Sequence, residues 1–334
     1  MMNEKEFLED WASPSEKLLV HTSGSTGKPK PMWVEKRRML NSARITCDFL
    51  GLKPGDTALL CMSLDYIAGK MMMVRSIERH LRLVSVKPSG HPLSDASLAV
   101  AHQVMGDPSM GDIHSCSFDF VAMVPMQVYN SLQVPVERER LRRVRHLIIG
   151  GGAIDDALAA ELRELPGAVW STYGMTETLS HIALRRLNGP RTSEWYQPFE
   201  SVEVSLGEDG CLVINAPLVC GEPLATHDIA ELRHGLFRIK GRKDNVICSG
   251  GIKIQIEEVE ALLRPHLESP FMLAKRKDEK FGEIAVLLSE SSDLEGIEHI
   301  CRQVLPKYWV PRQYQHCNHL PMTATGKPKR AIFL

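Results

Sequence analysis

Two prolines placed directly behind a glycine–lysine pair restrict how this chain can begin to fold. Residues 21–30 read His-Thr-Ser-Gly-Ser-Thr-Gly-Lys-Pro-Lys, and Pro31 follows. Glycines let backbone N–H groups approach an oxyanion, hydroxyls add donors and lysines neutralise charge. Thr22, Ser23, Gly24, Ser25, Thr26, Gly27 and Lys28 therefore form a candidate polyphosphate cradle. A Walker-type loop opens a helix, with Gly five places before its Gly-Lys pair and Ser or Thr after it. Here those places hold Thr22 and Pro29, and Pro29 and Pro31 both resist a helix interior. Apolar runs flank the loop, Leu18-Leu19-Val20 before it and Met32-Trp33-Val34 after it. The expectation is a strand–loop–strand phosphate clamp, not a P-loop NTPase or a dinucleotide fold.

The 334 residues allow two or three domains with a sizeable core. A formal net charge of −1 supplies no global field to recruit nucleic acid or anionic lipid. No apolar run approaches the ~18 residues of a membrane helix, and the acidic, polar start Met-Met-Asn-Glu-Lys-Glu is unlike a secretory signal. Eight cysteines lie scattered without a Cys-x-x-Cys pair, which suggests reduced thiols in a cytoplasm. His316, Cys317 and His319 offer a partial metal-ligand set with no second cluster to complete it.

Periodicity gives the layout. Helical spacing over residues 35–50 ends at Gly51, placed as a cap. Strand patterns at 57–62, 82–87, 119–124 and 147–149 alternate with helical ones at 66–80, 137–143 and 155–165, with a polar segment between the second and third strands. Such alternation predicts an α/β layered domain. From about residue 200, short alternating strands predict a small β subdomain, and after Gly241-Arg242-Lys243-Asp244 a strand–helix–strand pair–helix order predicts a compact α+β unit. The expected division is 1–243 and 244–334.

Four more segments carry chemistry. Ser171-Thr172-Tyr173-Gly174-Met175-Thr176-Glu177-Thr178 follows the apolar Ala168-Val169-Trp170 and offers an aromatic face, a glycine, hydroxyls and a carboxylate suited to Mg²⁺. Asp228, in Thr226-His227-Asp228, could accept from ribose hydroxyls or merely close a turn. Gly241-Arg242-Lys243-Asp244 precedes Ser249-Gly250-Gly251, and Thr323-Ala324-Thr325-Gly326-Lys327-Pro328-Lys329-Arg330 forms a basic tail.

In order and spacing these segments resemble the adenylate-forming superfamily of acyl-CoA synthetases, luciferases and peptide-synthetase adenylation domains, over about residues 18–330. The resemblance implies a large N-terminal α/β domain with a small β subdomain, plus a small mobile C-terminal domain. It also implies a two-step reaction: a carboxylic acid and ATP give an acyl adenylate, and a thiol, usually coenzyme A, then displaces AMP. By motif match, residues 22–28 hold the β- and γ-phosphates and Glu177 binds Mg²⁺ with Thr176 on the α-phosphate. Gly151, Gly152 and Ala153 with Thr172, Tyr173, Gly174 and Met175 frame the adenine, and Asp228 and Arg242 hold the ribose. Lys327 bridges the carboxylate and α-phosphate in the first step, with Lys329 a nearby rival. Asp244 is the hinge, and Ser249, Gly250 and Gly251 line the pantetheine tunnel. Bland alternatives stand beside these: Glu177 as a helix-start charge, Asp244 as a solvated loop residue. The charged run at 137–146 reads more readily as a solvated helix face than as a coenzyme A contact. His227 replaces a glycine usual in the superfamily.

Arg75 interrupts the apolar helix pattern at 66–80, where the superfamily builds its acyl pocket. A cation there needs an anion: a structural carboxylate, solvent reached by snorkelling, or a second carboxylate on the substrate. The pattern Gly69 to Arg75-Ser76, with Met123-Val124-Pro125-Met126-Gln127-Val128, resembles the o-succinylbenzoate–CoA ligases of menaquinone synthesis. That resemblance implies Arg75 or Lys70 as the partner of the substrate's second carboxylate. Carrier-protein loading and non-catalytic nucleotide binding remain alternatives. Only about twenty residues precede the phosphate loop, far fewer than in most of the superfamily. The expectation is that most of one N-terminal subdomain is lacking: either this is a compact ligase lineage, or the surface left bare is covered by a partner or by a second copy in a homodimer.

Overall fold

The structure is a computed structural model that describes residues 2–21, 31–106, 117–322 and 328–330. A short helix, α1 (Glu4–Ala12), comes first and carries a capping box between Asn3 and Glu6, a helix absent from the sequence-based expectations. Strands β1 (Lys17–His21) and β2 (Pro31–Glu35) then pair antiparallel, with His21 opposite Pro31. That pairing brings the two ends of the 22–30 segment together, in agreement with a strand–loop–strand arrangement. The cradle residues themselves lie outside the described residues.

The main sheet contains β3 (Thr57–Leu60), β4 (Arg82–Ser85), β5 (His102–Met105), β6 (Phe120–Met123), β7 (His146–Ile149), β8 (Ala168–Gly174), β9 (His181–Arg186) and β10 (Gln197–Pro198), in the order β10-β9-β8-β7-β6-β3-β4-β5. Strands β4, β3, β6, β7 and β8 run parallel, and antiparallel strands close both edges. Both faces are covered. On one face Ala58, Leu60, Phe120, Ala122 and Ile148 pack with α2 (Lys36–Leu50) and α3 (Ile67–Arg79). On the other, Leu59, Val121, Met123, Leu147 and Ile149 pack with residues of α4 (Asp95–Ala99), α5 (Pro125–Gln133), α6 (Pro135–Arg142) and α7 (Asp156–Leu162). A sheet buried on both sides explains why its strands are continuous apolar runs instead of alternating ones.

Strand β4 lies on one side of β3 and β6 on the other, so chain order reverses between β3 and β6. In open α/β sheets ligands sit outside the carboxyl ends of the strands at such a reversal. Gln127 reinforces that point, its amide donating to the Cys61 carbonyl at 3.1 Å, just beyond β3.

Four further strands form the β subdomain: β11 (Glu203–Leu206), β12 (Cys211–Asn215), β13 (Leu224–Arg233) and β14 (Leu236–Arg242). The C-terminal part has its own core, around Ile247, Val259, Leu273, Leu287 and Cys301. It contains β15 (Val246–Ser249), β16 (Ile252–Gln255), α8 (Ile256–Leu263), β17 (Phe271–Asp278), β18 (Gly282–Ser289), α9 (Leu294–Val304) and β19 (Gln313–His316). Between the two parts lies a single turn of 3₁₀ helix, Lys243–Asn245. Besides α1, the sequence-based layout omits α4, α5, β5, β9 and β10. The polar segment between β4 and β6 holds α4 and β5, and the Met123–Val128 run is the end of β6 and the start of α5.

Candidate active site

Strand β8 continues through the motif it was expected only to deliver, ending at Gly174. A Cβ at Gly174 would lie 2.2 Å from the Ser180 carbonyl oxygen, so only glycine admits the tight return into β9. The return is held by Thr178, whose Oγ1 accepts from the Met175 N–H at 3.1 Å and donates to the Ser180 carbonyl at 2.8 Å. Leu179 takes a positive φ of 64° there while its side chain is buried. Left-handed backbone is strained for a bulky residue, and apolar burial offsets that strain. The turn thereby buries Thr176 and leaves Glu177 exposed. Among the described residues the Glu177 carboxylate has no hydrogen bond or ion pair.

Mg²⁺ held by one carboxylate plus substrate phosphates fits a carboxylate presented in this way. No group of three His, Cys, Asp or Glu among the described residues could hold a metal on its own. His316 instead donates its Nδ1–H to the Ser291 carbonyl at 3.0 Å.

Three of the residues expected around the nucleotide, Tyr173, Asp228 and Arg242, meet in one network. The Tyr173 hydroxyl donates to Asp228 Oδ2 at 2.6 Å, and Arg242 Nη1 reaches Asp228 Oδ1 at 3.0 Å. Asp228 and Arg242 are register partners across β13 and β14, so the sheet itself sets the ion pair. Arg242 Nη2 continues to Asp244 Oδ2 at 3.0 Å, and His227 Nδ1 lies 2.9 Å from both Asp244 oxygens. Burial and the adjoining Asp228 carboxylate push the Tyr173 phenol well above its ordinary value. Burial works to raise Asp244, but hydrogen bonds from His227 and Arg242 outweigh it and hold the carboxyl low. The superfamily glycine's replacement is thus the residue that ties down the expected hinge.

Other expected residues are placed as follows. Gly150 abuts Thr172, where an added Cβ would lie 2.3 Å from the hydroxyl, and Gly151 takes φ 82° against Val124. The Gly150–Ala153 loop therefore lines the carboxyl ends of β7 and β8. Ser249 pairs with Ile252 around Gly250 and Gly251, both at positive φ, as a two-residue hairpin requires. The Gly250 N–H donates to the Phe281 carbonyl at 2.9 Å. Lys327 lies outside the described residues, but Met322 pairs with Pro328 and Arg330 anchors to Glu260 and the Leu273 carbonyl, fixing both flanks of its segment.

Lys70 and Arg75 part company. Five residues apart on α3, they point about 140° from each other. Lys70 Nζ turns to the N-terminal segment, 3.1 Å from Met2 Sδ, and burial lowers its pKa. Arg75 is 2% exposed, which excludes snorkelling, and it has no carboxylate partner among the described residues. Its Nη2 donates to Ser180 Oγ at 2.5 Å, its Nε has no partner among the described residues, and burial pulls its pKa down to about 10. Ser180, His181 and Thr46 around it escaped the sequence reading. Ser180 lies 105 positions from Arg75, so no local spacing announces the contact. The arginines at 138–145 are matched by Glu161, Asp95, Glu139, Asp56 and Asp119, as a solvated face requires.

A family model described as AMP-binding enzyme matches residues 8–215. A crystal structure of an acyl-CoA synthetase (AMP-forming)/AMP-acid ligase II-like protein from Dyadobacter fermentans is 33% identical, with a TM-score of 0.63 over 98% of this chain and 91% of that one. An o-succinylbenzoate coenzyme A synthetase from Bacillus subtilis, in complex with ATP and magnesium ion, superimposes with a TM-score of 0.74 at 23% identity, over 94% of this chain and 69% of that one. A 2-succinylbenzoate–CoA ligase of Lactococcus lactis is 24% identical over 94% of this chain and 70% of its own length. One from Bacillus cereus is 25% identical over 97% and 71%. On the matched majority of its length, the chain belongs to the AMP-binding enzymes and has their adenylate-forming fold.

Proposed function

We propose that this protein is an acid–thiol ligase that activates a carboxylic acid with ATP and transfers the acyl group to coenzyme A. In the first step a carboxylate oxygen attacks the α-phosphorus of ATP, the bond to the bridging oxygen breaks, and pyrophosphate leaves. In the second the thiol sulfur attacks the acyl carbonyl, AMP departs and the thiol proton is released. Two anions approach each other in the first step, so cationic and N–H stabilisation is the principal need. The observation that carries this reading is the Tyr173–Asp228–Arg242 network, together with an exposed Glu177 that has no hydrogen bond or ion pair among the described residues. Arg242 and Tyr173 hold the Asp228 carboxylate in place, suited to ribose hydroxyls. Glu177 would hold Mg²⁺, which neutralises phosphate charge when bound. Lys327 is assigned to the reacting carboxylate and α-phosphate, residues 22–28 to the departing pyrophosphate, and Ser249–Gly251 to the pantetheine arm.

For the acid, the supporting observation is Arg75, a buried cation with no anionic partner among the described residues. An uncompensated buried charge is costly, on the order of several kcal/mol. A substrate with a second carboxylate would relieve that cost, and the methionines of α3 would suit an aromatic ring. The relatives named as 2-succinylbenzoate–CoA ligases point to the same acid, o-succinylbenzoate. The test is ATP–pyrophosphate exchange across a panel of acids that includes o-succinylbenzoate, with coenzyme A added afterwards. Exchange should depend on the acid and be strongest with o-succinylbenzoate. Exchange with no acid in the panel would defeat the catalytic reading, and a better monocarboxylate would defeat the substrate assignment.

A further inference from the structure

The contact that holds Arg75 belongs to a hydrogen-bond chain whose direction is determined at every link. Thr46 Oγ1 donates to the Ser42 carbonyl of its own helix at 3.0 Å. A hydroxyl has one proton, so toward His181 Nε2, 3.1 Å away, Thr46 can only accept. Nε2 therefore carries the ring proton. Burial and the neighbouring Arg75 guanidinium hold His181 well below its ordinary pKa, so the ring is neutral and Nδ1 is an acceptor. Ser180 Oγ, 3.2 Å from Nδ1, donates to it and turns its lone pairs to the Arg75 Nη2–H. The chain links α2, β9 and α3, and the imidazole is braced by Phe199, with ring centroids 5.6 Å apart.

We propose that His181 is a positioning residue for acyl specificity: by taking the Ser180 proton it fixes the Arg75 guanidinium and leaves the Arg75 Nε–H as an unfilled donor for a second carboxylate on the acyl substrate. This rests on the reading of Arg75 given above. His181 touches no reacting atom and acts only through Ser180 and Arg75. A buried Nε–H with no partner among the described residues is what such an orientation leaves over. With the ring removed, the Ser180 hydroxyl rotates freely and the Ser180 contact no longer fixes the guanidinium.

The experiment compares kcat/KM for o-succinylbenzoate with that for 4-oxo-4-phenylbutanoate, the same acid without the ring carboxylate, in the intact enzyme. His181→Leu should lower the ratio about tenfold or more, as expected for losing one hydrogen bond to a charged group. KM for ATP should not move. His181→Gln should restore most of the ratio, because its carbonyl accepts from Ser180 and its amide donates to Thr46. Equal losses for both acids would make His181 a packing residue and overturn the proposal. Arg75→Ala separates the two levels: if it lowers the ratio and His181→Leu does not, only the His181 role fails. If Arg75→Ala leaves the ratio unchanged, the carboxylate reading of Arg75 fails with it. Should the leucine variant not fold, ¹⁵N NMR of the wild-type imidazoles decides. The His181 ring should be the neutral Nε2–H tautomer, and an Nδ1–H tautomer would overturn the proposal directly.

Discussion

At the scale of single residues, the site is governed by which polar groups are left with a task after the fold has used the rest. Asp228 has both oxygens engaged, one by Tyr173 and one by Arg242. Glu177 has neither engaged among the described residues. The two carboxylates lie in motifs of similar composition, so the sequence names both as candidates and cannot tell a structured carboxylate from an available one. Tyr173→Phe tests the difference. Removing the hydroxyl takes one hydrogen bond from a carboxylate, a loss of about 1–2 kcal/mol in urea unfolding. It also frees Asp228 to rotate, so KM for ATP should rise while the KM for the acid stays put. An unchanged KM for ATP would detach this network from the nucleotide. Arg75 shows the same limit from the other side: its type and place are plain in the sequence, but its lack of a carboxylate partner among the described residues is visible only in three dimensions.

Secondary-structure elements were most legible where local physics decides them. The helix pattern ending at Gly51 forms as α2, and its end is a Schellman arrangement, with the Gly51 N–H on the Asp48 carbonyl at 3.1 Å and the Leu52 N–H on the Cys47 carbonyl at 2.9 Å. Gly51 takes φ 66°, and a Cβ there would meet nothing within 4 Å. Gly51→Ala should therefore cost about 1 kcal/mol from backbone conformation alone, read as a lowered urea midpoint with activity retained. A much larger loss would show that more than the left-handed cap depends on this glycine. The Ser249–Ile252 hairpin is similarly local, because two adjacent glycines suit its turn. Strand β9 and helix α5 were not legible. His181–Arg186 mixes charged and apolar residues because the strand lies near the sheet edge, and Pro125 reads as a break although it occupies the first turn of a helix.

At the scale of the whole molecule, the Lys243–Asn245 turn joins two separately cored parts, and Arg242, His227 and Asp244 bridge it. If the C-terminal part turns about Asp244 between half-reactions, Lys327→Ala should abolish adenylate formation. It should spare thioester formation from a supplied acyl adenylate. Equal loss of both half-reactions would argue against two working orientations. The clamp has a pH signature. A carboxyl whose folded pKa is lowered contributes stability above its unfolded pKa and loses it as pH falls through the lowered value. Asp244 should thus stay ionised and clamped through the ordinary carboxylate range and release only in stronger acid. ¹³C NMR titration checks this: Asp244 should titrate below its ordinary value of 3.8 and move back toward it in His227→Ala.

The sequence alone determined the class of chemistry, because phosphate cradles, glycine caps and strand–helix alternation are encoded over a few residues each. It also placed the strands that flank the loop and the glycine cap at Gly51. Tertiary structure decided which of those residues act together. Asp228 meets Arg242 through strand register, Lys70 and Arg75 separate by helical rotation, and Ser180, His181 and Thr46 converge from distant segments. Register, rotation and convergence depend on how elements pack, and packing energy is summed over contacts far apart in the chain, where no local pattern records it.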